Sequence, residues 1–172
     1  MNVDSQTYFD LPIDPNLDRL LEAHPRIFRG RKPQVWSSVP SGWLELLDKL
    51  CAQIEAMLGP DVCSQFAVVQ IKQKFGTLRF YYRLGDVEDV RVDLIHPEGV
   101  KQLLFDSNPA LHLDDLRVQL RAVVSEAEAA SSNCCEKCGE SAMLHEVRGW
   151  LTTLCGEHLA ERKAMVSTGD GQ

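Results

Sequence analysis

Cys135-Glu-Lys-Cys138-Gly139 and Cys155-Gly-Glu-His158, with fifteen residues between them, are the stretches that decide the fold of the C-terminal region. Two cysteines separated by two residues can present both thiolates from one tight turn, and the glycine after them lets backbone N–H groups approach the sulfurs. Cys155 and His158 share a face if they open a helix that runs on through Leu159 and Met165. The two pairs predict one metal site with four ligands: Cys135, Cys138, Cys155 and His158.

Zinc is the metal that this donor set predicts, at one structural ion per chain. Four protein ligands fill the tetrahedral shell of zinc and leave no position for an activated water, which argues against a zinc hydrolase. A module of about 35 residues is also too small for a hydrophobic core alone to stabilise it. Structural zinc supplies an apparent binding free energy of roughly 10–16 kcal/mol in small fingers. We therefore expect loss of the metal to unfold this module.

Three alternatives to this ligand set stay open at the level of the sequence. The Cys135/Cys138 pair could be a redox dithiol, although no strand of the thioredoxin type precedes it. Cys134 could replace Cys135, which would change the spacing within the first pair. His145 could replace His158, although His145 falls in the middle of a predicted strand.

The residues between the two pairs favour a β-hairpin. Residues 143–147 and 150–154 have strand character and flank Arg148-Gly149, a dipeptide suited to a tight turn. A cysteine knuckle, a hairpin and a ligand-bearing helix in this order resemble a treble-clef zinc finger. The boundary with the preceding domain is expected at residues 131–133, and the polar residues 167–172 read as a tail.

The chain before the metal module alternates helix and strand signals. Short helix character covers residues 15–23, and residues 25–33 are predicted to be a basic loop bounded by prolines. The clearest helix starts at Ser41 and stops at Gly59-Pro60, because apolar residues recur there at steps of three and four. Strands are predicted at residues 65–72 and 75–83, joined as an antiparallel pair. Residues 85–112 look like an insertion with a strand at 90–94 and a helical turn at 100–105. A second long helix is predicted at residues 114–130.

Composition places this 172-residue chain among ordinary globular proteins, with 44% hydrophobic and 25% charged residues. The first ten residues lack the basic and apolar regions of a signal peptide, and no stretch reaches the roughly 18–20 apolar residues of a membrane span. We therefore expect a soluble cytoplasmic protein. In a reducing compartment, four cysteines clustered between 134 and 155 favour a metal over disulfides. Cys51 and Cys63 are expected to be buried as small hydrophobic residues.

The net charge of −7 is distributed unevenly. Residues 1–25 and 84–172 are acidic, whereas residues 26–83 hold nine Lys/Arg against four acids, a net charge of +5. This middle segment is a candidate surface for an anionic partner: Arg26, Arg29, Arg31, Lys32, Lys72, Lys74, Arg79, Tyr81 and Arg83. Nucleic acid is one such partner, since cations contact phosphates and the tyrosine ring can stack on bases. The alternative is internal pairing with the acids of residues 84–115.

Catalytic constellations are not evident in the sequence. Asp114-Asp115, Glu126 and Glu128 are expected on solvated helix faces, and residues 86–89 lack the spaced oxygens and glycine of a calcium loop. The histidines at 24, 96 and 112 lie near prolines or loops, with His24 and His96 expected in turns, and no nucleophile motif accompanies them. We expect a protein that is not an enzyme.

Four motifs together resemble a family of small proteins from bacteria and tailed phages. They are Phe28-Arg-Gly-Arg31, Lys74-Phe-Gly-Thr-Leu-Arg-Phe-Tyr81, Cys135-Glu-Lys-Cys138-Gly139, and Gly149-Trp150 followed by Thr153-Leu-Cys155-Gly-Glu-His158. The likeness covers about residues 25–83 and 114–160. It implies that the zinc site and the basic segment belong to one unit, and it implies no biochemical activity.

These observations predict an α+β protein in which two long helices pack on a small antiparallel β-sheet. Residues 1–131 would form this domain, and residues 132–166 a treble-clef-like zinc module at its C-terminal end. The function expected is that of a non-enzymatic interaction protein that binds another protein. Phage association suggests a modulator, such as an immunity protein or an inhibitor of defence. The alternative is a nucleic-acid-binding protein that uses residues 26–83.

Overall fold

The computed structural model describes residues 14–29, 38–85, 87–88, 90–96, 99–105 and 113–168, and it has the expected α+β architecture. The helices are α1 (Pro15–Ala23), α2 (Pro25–Phe28), α3 (Leu44–Met57), α4 (Pro60–Cys63), α5 (Asp114–Ser131) and α6 (Gly156–Thr168), with a 3₁₀ turn at Ser41–Trp43. The strands are β1 (Phe66–Lys74), β2 (Thr77–Leu84), β3 (Val87–Glu88), β4 (Val90–His96), β5 (Gly99–Phe105), β6 (Met143–Val147) and β7 (Trp150–Leu154). They form three antiparallel sheets, β1-β2-β3, β4-β5 and β6-β7.

The central sheet is built on the β1–β2 hairpin. Phe75 and Gly76 both adopt positive φ angles, 56° and 76°, which gives the two-residue turn that matches the twist of an antiparallel pair. Pairing runs from Lys74 opposite Thr77 to Phe66 opposite Leu84, with one irregularity between Val68 and Gln70. The predicted strand pair is confirmed.

The core lies between this sheet and the two long helices. The apolar stripe of α3 is fully buried, and Leu120 and Val124 of α5 pack against it from the second helix. The largest side chains with almost no solvent exposure include those of Trp43, Phe66, Phe80, Leu47, Leu50 and Ile54. The periodicity of the sequence therefore predicted both helices.

Two predictions about local structure were wrong. Residues 25–33 were expected to be a basic loop, but Pro25–Phe28 form one helical turn whose Ile27 and Phe28 side chains are buried. A proline at the first helical position and two apolar residues facing the core stabilise this turn. Residues 100–105 were expected to be helical, but β5 covers them and pairs with β4 along its whole length. The strand predicted at residues 90–94 is confirmed within β4.

The burial of several single residues differs from expectation. Glu128 was placed on a solvated face, but it is buried, and its Oε1 accepts a hydrogen bond of 2.9 Å from the backbone N–H of Phe80. Cys51 is buried as expected, whereas Cys63 is half-buried and donates its thiol hydrogen to the carbonyl of Arg26. His24 lies at the expected turn between α1 and α2, but it is buried and faces carboxylates of α3. His112 and the segment 86–89 fall partly or wholly outside the described residues.

Among the described residues, no helix combines the length and the apolar character that crossing a membrane requires.

Candidate metal centre

The candidate centre is assembled by three elements in the order that the sequence predicted. Residues 135–139 form a tight turn closed by the hydrogen bond from Gly139 N–H to Cys135 O, with Gly139 at a φ of 82°. The β6–β7 hairpin follows, and its turn residues Arg148 and Gly149 adopt φ angles of 51° and 80°. Cys155 directly precedes α6, and His158 lies in the first turn of that helix. This order of knuckle, hairpin and helix is that of a treble-clef finger.

The four predicted ligand residues come together at one point. The ligand atoms of Cys135, Cys138, Cys155 and His158 all lie within 4.8 Å of one another, so the cluster could hold a metal ion. The Sγ atoms of Cys138 and Cys155 are 3.8 Å apart. Nδ1 of His158 lies 3.6 Å from Sγ of Cys135 and 3.1 Å from Sγ of Cys155. The histidine therefore offers Nδ1, and not Nε2, to the cluster.

These distances can be tested against tetrahedral coordination. Bonds of about 2.3 Å to sulfur and about 2.0–2.1 Å to nitrogen place two sulfurs about 3.8 Å apart, and a sulfur and a nitrogen about 3.6 Å apart. The observed separations of 3.8 Å and 3.6 Å match these values, and the third, 3.1 Å, is shorter. Two of these three separations therefore fit a tetrahedral ion.

Backbone N–H groups stabilise a thiolate at Cys135. Burial of this thiol raises its pKa, but hydrogen bonds from the backbone N–H groups of Cys155, Cys138 and Lys137 outweigh that effect and lower the pKa to about 6. A metal binds the thiolate and not the thiol, so the first ligand is prepared for coordination before the ion arrives. This is the physical role of the tight turn that the glycine permits.

The pKa values of Cys138 and His158 are both raised, so protons compete with a metal for these two ligands. The N–H of Glu140 favours the Cys138 thiolate, but desolvation and the nearby sulfurs of Cys135 and Cys155 outweigh it and raise the pKa of Cys138 to about 11. The hydrogen bond with Cys155 raises the pKa of His158. Three sulfurs in one cluster cannot all carry unneutralised negative charge, so a cation or shared protons must compensate them.

The two alternative ligands lie outside the cluster. Cys134 is adjacent to Cys135 in sequence, but its thiol points to backbone carbonyls, at 3.3 Å from Gly139 O and 3.6 Å from Gly42 O. His145 is in the middle of β6, as predicted, and is not part of the cluster. Neither residue competes for the metal position.

The knuckle is anchored on the N-terminal end of α3 by three hydrogen bonds. Gly42 N–H donates to Glu136 O at 3.0 Å, Ser41 Oγ to Lys137 O at 2.8 Å, and the indole N–H of Trp43 to Cys134 O at 2.9 Å. A Cβ built at Gly42 would overlap the carbonyl oxygen of Cys135 and lie 2.5 Å from Gly139 N. The two backbones therefore approach each other at a distance that only glycine allows.

The hairpin is attached to the central sheet by a second set of polar contacts. The hydroxyl of Thr153, fully buried, donates to Gly76 O at 2.6 Å, and the amide of Gln73 donates to Leu151 O at 2.8 Å. The Glu136 carboxylate accepts from the backbone N–H of Thr153 at 2.7 Å. The ligand-bearing elements are thus held to the rest of the protein on two sides. Sequence reasoning missed this interface because none of its partners are close in the chain.

Exposed apolar side chains concentrate in this part of the molecule. Four of the seven large apolar side chains that are exposed among the described residues belong to the hairpin or α6: Met143, Leu144, Trp150 and Met165. The side chains of Trp150 and Met165 are 73% and 66% exposed. Contiguous exposed apolar surface is uncommon on a monomeric protein unless the surface has a partner. The sequence predicted the helix that runs through Met165, but it did not predict this surface.

The basic residues do not form one continuous free surface. The Arg26 guanidinium donates to Leu58 O at 2.7 Å, and that of Arg29 to Ser64 O at 2.6 Å, so both bind carbonyls near the ends of helices. Arg79 was predicted on the surface but is 8% exposed, and it bonds Thr77 Oγ1 and Leu78 O. Arg31 and Lys32 lie outside the described residues.

Four other residues of the predicted set lie together on the β1–β2 sheet. Lys72, Lys74, Tyr81 and Arg83 are half-buried. The Lys72 ammonium lies over the Tyr81 ring, 5.2 Å from its centroid, and Lys74 lies at the same distance from the ring of Phe75. Each of these residues engages in contacts within the protein. Of the residues predicted to form a basic surface, these four lie together on one sheet.

Comparison of this chain with protein-family models, with curated proteins and with solved structures finds no match.

Proposed function

We propose that this protein is a non-enzymatic interaction protein, stabilised by one structural zinc ion, that binds another protein through its C-terminal module. The observation that carries the proposal is the cluster of three sulfurs and one nitrogen, all within 4.8 Å of one another. Thiolate and imidazole are ligands that zinc prefers, and four of them complete its usual structural coordination.

A complete ligand shell supports a structural role for the ion. Catalytic zinc sites keep one position for water or substrate, whereas zinc bound at this cluster would have all four positions filled by side chains of the chain itself. The same shell joins the knuckle to the first turn of α6. Zinc would therefore hold together two elements that share only a small cluster of buried side chains: Cys135, Ala142 and Leu154, with Cys155 and Leu159 packed against it.

The apolar surface of the module supports a protein partner. Trp150 is 73% exposed. Covering its indole ring with the surface of a partner would remove apolar area from water, which is favourable. Tryptophan is also among the residues most enriched in the energetically dominant part of interfaces. The module thus combines a rigid scaffold with an exposed aromatic anchor.

Metal analysis and X-ray absorption test the first half of the proposal. Protein purified without added metal should contain about one equivalent of zinc, and the absorption spectrum should fit three sulfurs and one nitrogen. Iron in place of zinc, or a solvent oxygen in a shell with three protein ligands, would refute the structural assignment. The second of these results would reopen hydrolytic chemistry.

Cross-linking in the native host tests the second half. The wild-type protein and the Trp150→Ala variant should differ in the proteins that they retain, and Val118→Ala should behave as the wild type. Val118 is 62% exposed on α5, so its truncation removes exposed apolar surface at a site outside the module. Identical retained proteins for wild type and Trp150→Ala would argue against docking through the module.

Nucleic-acid binding is the second candidate, and the pairing of Lys72 with the Tyr81 ring favours it. A cation and an aromatic ring held together in this way can contact phosphate and stack on a base. Binding of this kind should weaken by orders of magnitude as salt rises from about 50 to 200 mM if six or more phosphates are contacted. Lys72→Glu with Lys74→Glu should abolish a gel shift, whereas Lys163→Glu on α6 should not. A shift that survives the double change would not come from this sheet.

A further inference from the structure

The β1–β2 sheet buries a basic side chain on the face that does not belong to the core. Arg79 lies in the middle of β2, and only 8% of it is exposed. Its neighbours along the strand, Leu78 and Phe80, are core residues, so alternation places the Arg79 side chain on the opposite face. A guanidinium does not lose its proton in a protein. A full positive charge is therefore buried on this face of the sheet.

One edge of this guanidinium is occupied, and the other is not. Nη1 donates to Thr77 Oγ1 at 2.6 Å and to Leu78 O at 2.8 Å. Nε is buried and has no hydrogen-bond partner, and Nη2 forms no hydrogen bond with any residue that the structure describes. The N–H groups of Nε and Nη2 form the fork that binds two oxygens of a carboxylate or a phosphate. The unused edge is thus the edge that suits an oxyanion.

The buried charge of Arg79 also lacks a counter-charge. Within the described ranges Arg79 forms no ion pair, and both acceptors at its Nη1 are neutral. Burial of a charge is costly unless the charge is both paired and hydrogen-bonded. A water molecule at the unused edge would satisfy the hydrogen bonds but not the charge. An anion at that edge would satisfy both.

The two strands favour an anion with more than one negative charge. They contain four cations and no Asp or Glu: Lys72, Lys74, Arg79 and Arg83. Lys72 lies directly opposite Arg79 in the strand pairing, and like charges in that position repel each other. A phosphate monoester carries about −1.5 to −2 charges at pH 7, so it compensates this field better than a carboxylate with its single charge. Lys72 and Arg83 have contacts of their own within the protein, so the unused donors are those of Arg79.

We propose that the edge of Arg79 formed by Nε and Nη2 binds one phosphate group, either inorganic phosphate or the phosphate of a small ester such as a mononucleotide. Because the residue is only 8% exposed, the group has to enter singly, which suits a small molecule better than the backbone of a duplex. The site belongs to the β1–β2 sheet and not to the C-terminal module. It therefore goes beyond the proposed docking function and does not depend on it.

Thermal unfolding of the zinc-loaded protein, with and without phosphate at constant ionic strength, tests this site. Titration calorimetry supplies the dissociation constant and should show one phosphate per chain. At ten times that constant, a ligand that binds only the folded protein raises the folding equilibrium constant about elevenfold. For a chain of this length, the melting temperature should then rise by about 3–6 °C. Chloride at the same ionic strength is the reference for screening.

Variants of Arg79 show whether the effect comes from the fork. Arg79→Lys keeps the charge but removes the fork, so it should bind phosphate at least tenfold more weakly. The same phosphate concentration should then raise its melting temperature by no more than about 1–2 °C. Arg79→Met should show no rise, and Arg79→Lys decides the matter if circular dichroism shows that the methionine variant is unfolded. The matched control is Arg162→Met, which removes an exposed arginine of α6 and should respond as the wild type does.

Three results would overturn the inference. Absence of a rise in the wild type would show that a carboxylate of the chain or a water already occupies the edge. Equal rises for wild type and Arg79→Lys would show that phosphate acts elsewhere. Equal rises with acetate and with phosphate would show that the edge does not select phosphate.

Adenosine monophosphate identifies the source of the phosphate group. A dissociation constant below that of inorganic phosphate would assign the site to a nucleotide, and an equal or higher one would assign it to free phosphate. Either result supports the site if it depends on Arg79. None of these measurements involves Trp150, so their failure would leave the proposed docking through the C-terminal module unaffected.

Discussion

Replacement of Gly42 by alanine tests whether the metal cluster and the helical core stabilise each other. The new Cβ would overlap Cys135 O and lie 2.8 Å from Cys138 N, and both atoms belong to the backbone of the knuckle. Because neither can rotate away as a side chain would, the knuckle must move off the 3₁₀ turn. That displacement breaks the three hydrogen bonds that Ser41, Gly42 and Trp43 make to it.

The cost of this displacement can be estimated from those bonds. Each contributes about 0.5–1.5 kcal/mol net, so their loss lowers the free energy of unfolding by roughly 1.5–4.5 kcal/mol. Alanine restricts the unfolded chain and offsets about 0.4–1 kcal/mol of that loss. We expect a net destabilisation of about 2 kcal/mol, which for a chain of this length corresponds to a fall in melting temperature of about 4–8 °C.

Urea unfolding measures the stability of the fold, and competition with a chelator measures the affinity for zinc. Circular dichroism should show that the zinc-loaded Gly42→Ala protein unfolds at lower urea, and a chelator should remove its zinc at lower concentration. Gly59→Ala is the matched control, because nothing lies within 4 Å of a Cβ there and its φ of −63° suits any residue. Equal unfolding midpoints and equal zinc affinities for the two variants would show that the knuckle does not depend on this contact.

Further variants test single contacts. Cys138→Ser should lose bound zinc and solubility, whereas Cys51→Ala should retain one equivalent by elemental analysis. Glu128→Ala removes the buried acceptor of the Phe80 N–H and should cost about 1–3 kcal/mol in urea unfolding, while the exposed Glu126→Ala should stay within about 0.5 kcal/mol. Because the pKa of Cys138 is raised to about 11, zinc must displace at least one proton near pH 7. Zinc affinity should therefore fall about tenfold or more for each unit by which pH is lowered, and a pH-independent affinity would contradict this.

The features that the sequence predicted well depend on neighbours in the chain. The ligand pairs are set by turns and a helix of a few residues each, and the hairpin between them is set by Arg148-Gly149. The apolar periodicity of α3 extends over several turns, so it specifies a helix and its buried face without knowledge of the partner. In each case the deciding interaction lies within about a dozen residues.

Features that depend on a pairing partner were missed. Residues 100–105 hold four apolar residues, and a segment of that length is compatible with helix or strand until its partner is known. Pairing with the preceding strand β4 decides the matter. The contact of Gly42 with the knuckle depends on a partner far along the chain, and nothing near Gly42 in sequence indicates that a second backbone lies against it. The metal ligands were thus predictable from the sequence, whereas the contact between the knuckle and the 3₁₀ turn at Ser41–Trp43 was not.

Glu128 shows which feature of the sequence could have predicted the position of α5 along the edge of the sheet. It shares the inward stripe of α5 with Leu120, Val124 and Ser131, at helical steps of three and four. A polar residue on such a stripe is costly unless it meets a partner. Here the partner is the outer edge of β2, which β3 covers only at Arg83 and Leu84.

The N–H groups further along that edge need acceptors, because an unpaired strand edge exposes them to other chains. Glu128 accepts from Phe80 N–H at 2.9 Å and Ser131 Oγ from Leu78 N–H at 2.8 Å. At the other end of the stripe, Arg117 donates to Leu84 O at 2.9 Å. Polar residues at both ends of an otherwise apolar helix stripe therefore indicate a helix that lies along the edge of a sheet, and not one that only covers its face.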